Sequence, residues 1–81
     1  MSLGGTKAHA VLTDVGQKTA KVLDLSYGGV ALLFEQQEDL PAQFHAVLHV
    51  PILPPVRVIL RKSYVLSVDA GRMRVGCSFV S

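Results

Sequence analysis

The residues best suited to chemistry in this chain sit in one short stretch, Asp24-Leu25-Ser26-Tyr27-Gly28-Gly29. Asp24 offers a carboxylate and Ser26 a hydroxyl at positions i and i+2, a spacing that puts both on one face of an extended strand. Two glycines follow at once, so the backbone there either turns tightly or comes close to something else. A polar ligand could use a carboxylate and a hydroxyl beside accessible backbone. So could the turn itself, because Asp and Ser side chains readily satisfy nearby backbone N–H groups. On chemistry alone the local-turn role is favoured.

Other candidates are weaker. His45 and His49 spell H-x-x-x-H, which on a helix would aim two imidazoles at one metal. Their surroundings alternate apolar and polar, so they read as strand residues about 13 Å apart. Two partly exposed histidines are the better reading, and no metal site is expected. Arg57, Arg61, Arg72 and Arg74 fall on outward strand positions and would form a basic stripe if their strands were neighbours; ordinary surface charge accounts for them as well. Ser26 is a poor nucleophile, since the glycine required two residues before it is Asp24. No phosphate loop, metal cluster or acid–base pair stands out, and enzymatic activity is not expected.

The elements that must position Asp24 and Ser26 are short and extended. Apolar runs cover Ala8 to Val15, Thr19 to Leu25, Gly29 to Phe34, Gln43 to Val50, Val56 to Lys62, Tyr64 to Val68 and Arg72 to Val80. Helical spacing is not sustained anywhere, and turn signals recur every several residues. Asp14 to Lys18 and Ser67 to Gly71 have hairpin chemistry. Glu35 to Ala42 is a polar crossing or one helical turn, and Pro51, Pro54 and Pro55 mark a bend. Phe44, Ala46, Leu48 and Val50 share one face, as do Val56, Val58 and Leu60, and Met73, Val75, Cys77 and Phe79. One apolar face per strand predicts an antiparallel sheet packed on one side. In 81 residues, closure into a small all-β barrel of six to seven strands is the economical solution.

Composition agrees with a single small folded unit: 49% of residues are hydrophobic and 17% charged, against disorder. A net charge of +2 is too small for general nucleic-acid binding. The lone Cys77 lies in an apolar run and reads as a small core residue, consistent with a reducing, cytoplasmic setting. No apolar run reaches the ~18 residues of a membrane span. Met1 to Gly5 reads as a linker or cloning remnant, residues 6–81 as the domain, and both ends as trimmed from a larger protein.

With strand-like runs on either side, Asp24-Leu25-Ser26-Tyr27-Gly28-Gly29 has the form [D/N]-x-S-x-x-G and resembles the second signature of PilZ domains, small β-barrels that bind the bacterial second messenger cyclic di-GMP. The closing run Arg74-Val75-Gly76-Cys77-Ser78-Phe79-Val80 is similar to the last strand of that barrel. The resemblance implies that Asp24 accepts hydrogen bonds from a guanine edge, that Ser26 adds a polar contact, and that Gly28 and Gly29 admit close backbone approach. It implies cyclic di-GMP as the ligand, no cofactor, and a neighbouring domain or partner protein as the recipient of the signal. The family's first signature, R-x-x-x-R before the first barrel strand, is absent, since no arginine precedes Arg57. Arginine is required there because a guanidinium makes paired hydrogen bonds to phosphate or guanine and stacks on the base. Either those arginines precede the sequence in hand, or the site has diverged into a protein-interaction module. An unrelated small barrel that binds single-stranded nucleic acid is the alternative outside the family, although few aromatics are free for base stacking.

Overall fold

Alternating side chains, with glycine, proline and short polar breaks between them, produce six strands, described by a computed structural model for residues 8–14, 16, 18–51 and 53–80. They are β1 (His9–Leu12), β2 (Lys18–Leu25), β3 (Gly29–Phe34), β4 (Gln43–His49), β5 (Val56–Ser67) and β6 (Met73–Phe79). Every neighbouring pair is antiparallel, and the order β1-β2-β3-β6-β5-β4 closes on itself through β4 and β1. The expected all-β barrel is therefore present. The proposed linker at residues 1–5 lies outside the described residues.

The core is filled as the alternation demands. Ala10 and Leu12 of β1, Phe44 and Ala46 of β4, and Met73, Val75 and Cys77 of β6 point inward and are buried. Phe34, Phe44, Leu12, Leu32, Leu60 and Val75 are the largest side chains sealed from solvent. Phe79 is only partly buried, at the end of the barrel near Leu25 and Val50. The segment 35–42 forms no helix; it crosses the other end of the barrel as a loop and plugs it with buried Leu40. Lys62 anchors that crossing: its Nζ donates to the Leu40 carbonyl at 2.8 Å, and its backbone N–H donates to Ala42. The β5–β6 hairpin turns through a short 3-10 segment, Asp69–Gly71, where Ala70 and Gly71 both have left-handed backbone, with φ of 60° and 74°.

One expectation needs correcting. Val56 to Lys62 and Tyr64 to Val68 are not two strands. They are one 12-residue strand with a bulge at Ser63, where the pairing steps from Lys62↔Cys77 to Tyr64↔Gly76. The break in the apolar pattern at Lys62-Ser63 marks that bulge rather than a strand end. The apolar face of β5 also peels away from the core toward its start: Leu60 is sealed, Val58 half-buried and Val56 exposed.

Candidate functional site

Strict alternation along β2 would send Asp24 into the barrel with Ala20 and Val22. A second bulge prevents this. The pairing of β2 with β3 steps from Val22↔Leu32 to Asp24↔Ala31, so Leu23 is the extra residue and Asp24 emerges on the outer face. Tyr64 on β5 is turned outward by the Ser63 bulge in the same way. These two bulged strands flank the central pair β3–β6, whose outward residues beside the bulges, Gly29, Ala31, Gly76 and Ser78, are small.

Read across the strands, one row runs Asp24, Ala31, Gly76, Tyr64. The next begins at the Ser26 turn and runs through Gly29 and Ser78 to Arg61. Adjacent strands are about 4.8 Å apart, so Asp24 and Tyr64 stand roughly 14 Å apart across the outer face. Between them is a shallow open groove of about 300 Å³, lined among others by Asp24, Ser26, Gly29, Tyr64, Arg74 and Ser78. Gly29 and Gly76 make its floor possible. A Cβ on Gly29 would strike the Cys77 carbonyl, and one on Gly76 would strike the Tyr64 ring, which lies across it. Neither Gly28 nor Gly29 has positive φ. Of the two reasons for glycine here, close approach at Gly29 is the one realised.

The polar groups have local duties. The Ser26 N–H donates to the Gly29 carbonyl at 2.9 Å and its Oγ donates to the same oxygen at 3.3 Å, so Ser26 does serve the turn locally, but as a donor to a carbonyl rather than as the expected acceptor from a backbone N–H. That hydroxyl keeps its lone pairs as acceptors. Ser63 Oγ and Ser78 Oγ share a hydrogen bond of 2.9 Å at the opposite rim. Asp24 is exposed, and Arg74 is half-buried on the outer face of β6.

The structure therefore brings Asp24, Ser26, Gly28 and Gly29 together around one groove. It adds Tyr64, Arg74, Ser63 and Ser78, which sequence reasoning did not assign to it. Gly76 carried the one available signal, a glycine in the middle of a strand, which marks a close approach; that Tyr64 is what approaches depends on register. The arginines do not form a stripe. Arg57 pairs with Val47 on the far side, Arg72 bridges to Asp69 at 2.8 Å, and only Arg61 and Arg74 approach the groove.

The histidines separate as the strand reading requires. The exposed His45 takes Asp14 as its partner, its backbone N–H donating to Oδ2 at 3.0 Å and its ring meeting the same oxygen. That ring contact, with the backbone donor behind it, holds the Asp14 carboxyl below its ordinary 3.8. A depressed carboxyl stabilises the fold above its ordinary value, and the contribution fades as pH falls through the lower one. His49 instead stacks on His9 across β1–β4, ring centroids 4.7 Å apart. Among the described residues no three metal-binding side chains are gathered, and no helix is long and apolar enough to cross a membrane, which says nothing of strands.

Cys77 lies directly beneath the groove floor. Burial pushes its thiol from 9.0 up to about 11, against a smaller opposing pull from Lys62. The unfolded thiol ionises first as pH rises, so folding stability should decline between about pH 9 and pH 11, by on the order of 2 kcal/mol. Urea titrations across that range should show the decline, and Cys77→Ala should flatten it. A wild-type curve indistinguishable from the Ala variant would show that the thiol is not held this way.

No protein-family model, curated protein or solved structure matches this chain.

Proposed function

We propose that this barrel is a non-enzymatic, PilZ-like signalling module whose outer groove is the barrel half of a cyclic di-GMP site. The supporting observation is the outward turn of Asp24 by the Leu23 bulge, beside Ser26 on the rim of a shallow groove floored by Gly29, Ala31 and Gly76, the last covered by the Tyr64 ring. A carboxylate is the natural acceptor for the N1–H and N2–H donors of guanine, each charge-assisted bond being about twice as strong as a neutral one. Tyr64 gives the opposite rim a ring face for stacking. Arg74 supplies one cation, and Arg61 stands close by.

What the groove lacks is a pair of guanidinium groups arranged for the two phosphates. Binding by this chain alone is therefore weak, with a Kd above about 100 μM. In the intact signalling arrangement, a segment carrying that pair would order over the groove when the nucleotide arrives. That ordering would couple to a neighbouring domain or partner through the nucleotide's preference for the closed arrangement. Calorimetric titration of cyclic di-GMP into the chain should give a shallow isotherm that Asp24→Ala abolishes. Micromolar or tighter binding would overturn the claim that half of the site is missing. Salt-sensitive binding of single-stranded oligonucleotides would instead favour a nucleic-acid reader.

A further inference from the structure

Strand β5 is longer than the partner that closes the barrel on its far side. Pairing with β4 ends at Gln43↔Arg61, followed by the single Lys62-to-Ala42 backbone bond of 2.8 Å. From Ser63 to Ser67, the described residues pair with β5 only on its β6 side. Alternate backbone N–H and C=O groups of this stretch therefore point away from the sheet, forming an edge that no described residue covers.

Protein edges are normally protected by charge, proline or a cover. Ser63-Tyr64-Val65-Leu66-Ser67 has neither charge nor proline, and its middle three residues are 44%, 43% and 52% exposed. We propose that this edge pairs antiparallel with the same edge of a second copy of the chain, across a two-fold axis at Val65.

The side chains are complementary in that register. Val65 meets Val65 of the second copy, and Tyr64 meets Leu66 of the second copy, twice over, as an aromatic–aliphatic cross-strand pair. Charge selects the same direction. The leading end of the stretch carries exposed Arg61, and the trailing end carries Asp69, 82% exposed in its bridge to Arg72, with Glu35 acting on the same guanidinium, so two carboxylates face one cation there. Antiparallel pairing lays each arginine end against the acidic end of the other copy, whereas parallel pairing would set like against like. Because the contact is isologous, it closes at two copies and uses up this edge in both.

Directly opposed residues share a face, so the outer rows fuse. The row Asp24, Ala31, Gly76, Tyr64 continues into Leu66 and then Arg74 of the second copy. The two grooves then lie on one continuous outer sheet. The pairing rests on the edge itself and does not depend on what the groove binds.

Sedimentation of the 81-residue chain from about 1 μM to about 500 μM should show a monomer–dimer equilibrium. Leu66→Lys, which adds the missing edge charge, should weaken association at least about tenfold, with an unchanged melting curve at about 1 μM, the dilute end of the series. Val65→Cys places two thiols on the axis, where opposed Cα atoms are about 4.5–5.5 Å apart, and should form a disulfide-linked dimer on mild oxidation. Leu53→Cys, at the exposed bend, should not. A chain that stays monomeric throughout, a dimer indifferent to Leu66→Lys, larger open-ended species, or equal cross-linking at Leu53 would each overturn the proposal.

Discussion

Replacing Gly29 by alanine is expected to unfold the barrel or cost it more than about 3 kcal/mol, whereas the same change at Gly28 should be nearly silent. The two glycines are adjacent in sequence and look interchangeable there. They differ in what lies beyond the missing Cβ. At Gly29 it is the Cys77 carbonyl, part of the backbone of β6, which cannot swing aside without opening the β3–β6 pairing. At Gly28 there is open space within 4 Å. The same seam continues past Gly29, because Gly28 accepts from the Phe79 N–H at 3.0 Å. In a chain this short, total stability of about 5–15 kcal/mol leaves little reserve against such a loss. Chemical denaturation of Gly28→Ala and Gly29→Ala beside the parent measures it. Equal stabilities for the two variants would mean that the seam is looser than described. Gly76→Ala should fall between them, because its neighbour is the Tyr64 side chain, which can move.

The second large effect concerns affinity. Placing an Arg-x-x-x-Arg segment just before Ala8 is expected to tighten cyclic di-GMP binding by about a hundredfold or more, since each guanidinium–phosphate contact contributes on the order of 1.5–3 kcal/mol. The gain should vanish with Asp24→Ala, because phosphate clamps without a guanine acceptor hold the ligand in no particular register. It should also vanish when lysines replace the arginines, which lack the paired donors. Calorimetry on the four proteins separates these outcomes. A gain that survives loss of Asp24 would reduce the arginines to a nonspecific anion site and remove the carboxylate from the account.

The barrel was largely legible in the sequence. Ala10 and Leu12, Phe44 and Ala46, Met73 and Val75 each announce an inner face by alternation, and Gly16, Pro51 and Gly71 punctuate the turns. The candidate site was only half legible. Asp24, Ser26 and the glycines could be read because they are contiguous. Tyr64 could not, since its place over Gly76 depends on cross-strand register, which no single strand encodes. The two bulges escaped for the same reason. Alternation through Lys21, Val22 and Leu23 points Asp24 inward, and only the Val22↔Leu32 to Asp24↔Ala31 step turns it out. At Ser63 the pattern did break, but a break read along one strand looks like an end. The His9–His49 stack and the open edge of β5 are likewise products of which strands meet and where they stop pairing.

The central claim is that the outer face of β2, β3, β6 and β5 is where a guanine nucleotide binds. Titrating isotopically labelled chain with cyclic di-GMP while recording amide shifts tests it most directly. The account predicts fast-exchange shifts concentrated at Asp24, Ser26, Gly29, Ala31, Tyr64 and Gly76, reproduced in part by GMP and absent in Asp24→Ala. Shifts clustered instead at the far face around His45 and Arg57, or no shifts at about 5 mM ligand, where even a Kd of about 1 mM gives more than half occupancy, would contradict it.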